Sequence, residues 1–171
     1  MSEAQITDDL IASLRDDFEI HREVPGRHDV YGQGVRIDLV ARARPRIVES
    51  GFTPDWFGIE CKWASGGGGS TSKVTRMVWQ SITYAQSTFQ VDGADLRLAF
   101  VAVFTPDDLP AGINAHLDTL LQLALYGKVG RIYRYKDGAW GIKFAKIYAR
   151  SQHPVPRVDP CQLPGDRVGS V

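Results

Sequence analysis

Eight consecutive residues, Trp56-Phe57-Gly58-Ile59-Glu60-Cys61-Lys62-Trp63, set an acid and a base inside a run that is otherwise aromatic or aliphatic apart from a thiol and a glycine. Bounded by Pro54-Asp55 and a glycine-rich segment, the run predicts a short buried strand. Side chains alternate faces along a strand, so Glu60 and Lys62 are expected on one side and Ile59 and Cys61 on the other. Opposite charges there need a reason: chemistry is one, and an exposed cross-strand pair on a half-solvated sheet is the other. The same grammar occurs upstream in Gly34-Val35-Arg36-Ile37-Asp38-Leu39-Val40-Ala41, a second apolar strand with an acid at its centre. Asp38 can act with Glu60 or pair with Arg36, two residues away on the same face.

The chain has 171 residues, enough for one domain with a core of its own, expected over residues 1–150 and followed by a Pro-rich tail at 151–171. Its 20 basic and 20 acidic side chains cancel, which removes any general electrostatic argument for a polyanionic partner. Local clusters remain: Arg42-Ala43-Arg44-Pro45-Arg46 and the stretch 128–150 are basic, and acids crowd the N-terminal residues. Cys61 falls in a predicted core strand and Cys161 in the tail, so both are expected as free thiols. The opening residues lack a signal-peptide pattern and no apolar run is long enough for a membrane span; a cytoplasmic protein without membrane contact is expected.

Thr7-Asp8-Asp9 reads as a helix start, and Ile6, Leu10, Leu14 and Phe18 mark its apolar stripe to about Phe18. Residues 19–24 read as a strand ended by Pro25-Gly26, residues 35–43 as a central strand apolar on both faces, and residues 56–63 as a third. Three strands in succession predict an antiparallel meander. Residues 64–72 are too glycine-rich to hold one conformation and lack the Lys-hydroxyl pair of a phosphate-binding loop; a natural loop and an engineered linker both fit. Residues 73–90 form the clearest amphipathic helix, with Val74, Met77, Val78, Ile82, Ala85 and Phe89 on one line and Lys73, Arg76, Gln80, Tyr84 and Ser87 on another. A strand at 96–104, expected parallel to its neighbour, precedes a helix at 110–126 and a hairpin whose arms, 128–135 and 140–148, flank Lys136-Asp137-Gly138-Ala139. Trp63, Trp79 and Trp140 are expected to be packing residues.

Asp38 and Glu60, with a backbone carbonyl such as that of Cys61, are suitable oxygen ligands for a hard divalent cation, Mg²⁺ or Mn²⁺, beside a phosphodiester. Such an ion lowers the pKa of bound water, and Lys62 can orient the nucleophile or stabilise developing charge.

At this point the chain resembles the restriction-endonuclease-like, or PD-(D/E)XK, nucleases, whose signature is an acid on one core strand, Glu-X-Lys on the next, and a helix crossing the sheet. The resemblance covers about residues 5–105 and rests on Asp38, Glu60, Lys62 and the helix at 73–90. Gln80-Ser81-Ile82-Thr83-Tyr84 is similar to the Gln-X-X-X-Tyr element of the RecB and Cas4-like branch. No helical histidine counterpart of that branch is present, since His21 and His28 fall in a predicted strand and loop, and the four cysteines of an iron–sulfur cluster are missing. The resemblance implies an α/β fold with a mixed sheet flanked by helices. It also implies Asp38 and Glu60 as metal ligands, Lys62 as the catalytic lysine, and Arg36, Lys73, Gln80 and Tyr84 as groups that contact or position DNA. RNA remains open as the polymer and a homodimer as the assembly. The other expectation is a catalytically silent nucleic-acid-binding or assembly module on the same fold, with the basic hairpin at 128–150 as its contact surface.

Overall fold

The computed structural model describes residues 2–64, 68–106, 109–135, 139–144 and 147–150. The expected tail at 151–171, the glycines at 66–67 and the turn at 136–138 lie outside them. The chain runs α1 (Glu3–Leu14), β1 (Phe18–His28), β2 (Gly34–Ala43), α2 (Pro45–Glu49) and β3 (Phe57–Cys61). It continues through α3 (Ser70–Ala85), β4 (Ser87–Val91), β5 (Ala94–Arg97), β6 (Val101–Phe104) and α4 (Ala111–Leu123). It then ends in β7 (Val129–Arg134), β8 (Trp140–Phe144) and β9 (Ile147–Arg150).

Among the described residues these strands form one nine-stranded mixed sheet in the order β5-β4-β1-β2-β3-β6-β7-β8-β9. The meander β1–β2–β3 is antiparallel, β2 lies inside the sheet, and β6 runs parallel to β3, as the sequence pattern predicts. Alternation along β6 separates the two faces. Ala102 and Phe104 join Ile6, Leu10 and Leu14 of α1, whereas Val103 joins Val74, Met77 and Val78 of α3 and Leu117 and Leu121 of α4. Helices therefore flank both faces, and β3 is buried along its whole length.

Several expected boundaries move. Helix α1 starts at Glu3 because Ser2 and Gln5 form a reciprocal capping box, so Thr7 is interior and its hydroxyl donates to the Glu3 carbonyl at 2.9 Å; Phe18 opens β1 instead of closing the helix. Strand β1 continues through Pro25-Gly26, paired with Arg36 and Val35. A Cβ on Gly26 would sit 2.6 Å from the Phe89 ring and 2.7 Å from the Thr88 carbonyl, so the glycine admits β4 against β1. Helix α3 stops at Ala85, because Thr88, Phe89 and Val91 favour strand and Asp92-Gly93, both at positive φ, close a two-residue hairpin. The expected strand at 96–104 is accordingly two, β5 on the sheet edge and β6 near its middle.

That split curls the sheet. Arg97 to Val101 spans at most about 15 Å of chain, whereas five strand spacings from β5 to β6 in a flat sheet would measure about 24 Å. The β4–β5 hairpin must fold back over β1–β3, and Leu98, Phe89, Val24, Ile37, Val40, Tyr84 and Val101 fill the space it closes. The expected helix at 110–126 ends at Leu123 in a short 3-10 turn, and the expected strand at 140–148 is β8 plus β9. Trp140 is buried as expected, but Trp79 is 62% exposed. Cys61 is a free buried thiol; Cys161 lies outside the described residues. No helix among the described residues is long and apolar enough to cross a membrane.

Candidate metal centre

The β2–β3 ladder pairs Ala41 with Phe57, Val40 with Gly58 and Leu39 with Ile59, and then stops. The next positions in register are Asp38 and Glu60. Here Asp38 Oδ2 accepts the Cys61 backbone N–H at 2.8 Å, so a carboxylate replaces the carbonyl that a continued ladder would offer. On its other edge β3 stays paired with β6 through Glu60 and Cys61, and Lys62 N–H donates to the Phe104 carbonyl at 2.9 Å. The strand that carries Glu60 is thus anchored on one side and opened on the other.

The backbone is irregular across β2 as well. Glu23, the β1 residue opposite Asp38, has φ of 51°, and only the flanking pairs Arg22–Leu39 and Val24–Ile37 are made. Ile37 consequently packs with Val40 and Tyr84, not with Leu39 and Ala41. Simple two-residue alternation fails at the position of the acid.

Glu60 is 3% exposed, and among the described residues no donor reaches its Oε2. Burial pushes its carboxyl up to about 8; the charge of Asp38 and a hydrogen bond shared with it act in the same direction, against the Lys62 ammonium. Burial also raises Asp38, opposed by the Cys61 N–H and Lys62. Two carboxyls in a low-dielectric site, one with an unsatisfied oxygen, make a poor resting arrangement unless they share a proton or a cation.

Lys62 supplies positive charge from one side. Burial acts to lower its pKa, but the hydrogen bond and charge of Glu3, with Glu60 and Asp38, outweigh this and hold it above its ordinary value. Its Nζ lies 3.0 Å from Glu3 Oε1, and Glu3 Oε2 accepts the Trp63 N–H at 3.4 Å. Glu3 was not among the residues expected from the sequence. The signal for it is the capping box, which fixes the first turn of α1 at Glu3 and brings it to the end of β3.

The outer residues divide. Tyr84 is buried, its hydroxyl donates to the Arg36 carbonyl at 2.9 Å, and burial followed by the charges of Glu60 and Asp38 raises its phenol. It pins α3 to β2 beside the centre. The Arg36 side chain turns away to Glu23 at 2.8 Å, so it does not pair with Asp38. Gln80 is half-buried, with no donor to its Oε1 among the described residues. Lys73 is exposed, with Nζ 3.5 Å from the Trp63 carbonyl, and Ser87 leaves the helical stripe for β4. Cys61 meets the centre through its N–H, and burial pushes its thiol up, which keeps it neutral.

The basic stretch at 128–150 is not a uniform charged surface. Arg131 is 2% exposed, and its guanidinium donates to Asn114 at 2.5 Å and Thr105 at 3.3 Å and stacks on Tyr133. No protein-family model, curated protein or solved structure matches the chain.

Proposed function

We propose that the chain is a Mg²⁺- or Mn²⁺-dependent deoxyribonuclease that hydrolyses phosphodiester bonds with metal-activated water. The observation that carries this reading is the pairing of Asp38 and Glu60 across the opened ladder, with Glu60 Oε2 buried and without a partner among the described residues and Lys62 beside them. Carboxylate oxygens are the donor set a hard divalent cation takes, and an ion there would offset the burial that raises both carboxyls and the Asp38 charge that adds to it on Glu60. Asp38 and Glu60 would hold it, with the Cys61 carbonyl as the proposed third protein ligand. When bound, the ion supplies a water of lowered pKa and charge compensation at the phosphate.

Lys62 holds a proton at Nζ next to the two acids and stabilises negative charge on the reacting phosphate. Tyr84 keeps β2 and α3 in register, and Gln80 and Lys73 offer polar contacts along α3 to a backbone lying over the site. DNA as the substrate rests on the resemblance of Asp38 and Glu60-X-Lys62 to the PD-(D/E)XK nucleases. The test is cleavage of linear, circular and single-stranded DNA by purified protein with Mg²⁺ or Mn²⁺. Activity that is lost in Glu60→Ala and in chelator supports the reading; undiminished cleavage by Glu60→Ala overturns it.

A further inference from the structure

A second set of metal-ligating side chains lies on β1 and the β4–β5 turn, apart from the Asp38–Glu60 centre. His21 Nε2 is 3.2 Å from Glu19 Oε1 and 3.9 Å from Asp92 Oδ2, and one ligand atom of each residue lies within 4.8 Å of the other two. Donors bound tetrahedrally to Zn²⁺ at its usual bond lengths sit about 3.3–3.5 Å apart. Glu19 and His21 already have nearly that separation; Asp92, whose side chain is 76% exposed and free to turn, stands 3.9 Å from His21 and within 4.8 Å of Glu19, and must close on both. We propose that Glu19, His21 and Asp92 form a surface site for one Zn²⁺ ion, with its fourth position open to water.

Surrounding residues fix two of the three ligands. Glu19 Oε2 is 2.7 Å from an Arg42 guanidinium nitrogen, which leaves Oε1 directed at His21. Arg42 lies 4.6 Å over the Trp56 ring, and the His21 imidazole packs edge-on against the same indole at 5.3 Å. Outer contacts of this kind set the orientation of metal-bound carboxylates and imidazoles. An imidazole nitrogen among the donors selects a borderline ion such as Zn²⁺ over Mg²⁺, which separates this site chemically from the all-oxygen centre.

The topology gives the ion a task. The β1–β4 ladder consists of Gly26–Phe89, Arg27–Thr88 and His28–Ser87, so it ends before the Asp92 turn. An ion bridging His21 and Asp92 would clamp the free end of the curled hairpin to β1, where backbone pairing has run out. The competing account is a His21 hydrogen-bonded to Glu19 beside Asp92 with no ion.

The test uses full-length, chelator-stripped protein carrying Asp38→Asn and Glu60→Gln, which removes the proposed catalytic centre and leaves the surface site intact. Zn²⁺ titrated by calorimetry should bind with one equivalent and raise Tm, and Co²⁺ should give the visible absorption of a tetrahedral site. His21→Ala and Asp92→Asn should each weaken Zn²⁺ by about 10–100-fold or more. Asp92→Asn guards against misfolding, since the residue is exposed and Asn tolerates its positive φ. Absence of one-equivalent binding, or an affinity unchanged in both variants, would overturn the site.

Discussion

Asp38 Oδ2 accepts the N–H of Cys61 at 2.8 Å, so the acid on β2 terminates the hydrogen-bonded ladder with the strand that bears Glu60. One side chain therefore both opens the sheet and brings the second carboxyl against itself. The cost appears on Glu60, whose charge would be buried beside Asp38 without a full set of partners.

That cost has a pH signature in metal-free protein. Glu60 titrates near 8 when folded, against 4.5 as its ordinary value, so between those limits the folded chain retains a proton that the unfolded chain has lost. Stability in chelator should fall as pH rises through this window, by up to about 5 kcal/mol at 1.36 kcal/mol per pKa unit, and the raised Asp38 acts in the same direction. Glu60→Gln should match the wild type near pH 4.5 and exceed it by a few kcal/mol near pH 8.5. Urea unfolding at both pH values reads the difference, and parallel curves would contradict it.

Lys62 should separate activity from stability. Its ion pair with Glu3 is half-exposed and worth roughly 1 kcal/mol or less. Lys62→Ala should leave Tm nearly unchanged while cutting DNA cleavage by about 10²–10³-fold, the loss typical of one charge-stabilising donor.

Two glycines test the packing of β1 on β4. Gly26→Ala places a methyl group against the Thr88 carbonyl, which cannot swing aside, and should cost about 1–3 kcal/mol. Gly34→Ala has open space and an ordinary φ, and should be neutral or stabilising. Chemical denaturation of both variants checks the contrast.

Arg131 tests whether the basic stretch is structural. Arg131→Ala removes two hydrogen bonds and a stacked guanidinium from a buried position, and should lower stability by about 2–4 kcal/mol. DNA affinity of the remaining folded protein, measured as salt-dependent binding, should be unchanged.

The meander, the crossing helix and the parallel β6 were legible because Leu39 through Ala43, Phe57 through Cys61 and Val74 through Val78 carry the periods of buried strands and an amphipathic helix. The same reasoning placed Asp38 and Glu60 on adjoining strands; Lys62, expected within the second, lies just past its end at Cys61. It missed what depends on tertiary pairing. Phe89 satisfies a helical stripe and a strand equally well, and only the Asp92-Gly93 turn and the space at Gly26 decide for β4. Glu3 lies far from Lys62 in sequence, and its contact follows from where α1 docks. Trp79 sits on a helical line that no neighbour among the described residues covers, so an aromatic expected to pack is 62% exposed. The break of alternation at Asp38 lies opposite Glu23 at positive φ on the neighbouring strand, an arrangement that no local pattern in β2 reveals.

The central claim is that Asp38 and Glu60 share one divalent ion. The most direct measurement is an anomalous difference map from crystals of this chain soaked in Mn²⁺. The account predicts a single strong peak between Asp38 Oδ and Glu60 Oε at about 2.0–2.2 Å from each, as expected for a small hard octahedral cation, and no such peak in Glu60→Gln. A map without a peak between these two carboxylates at saturating Mn²⁺ would contradict it.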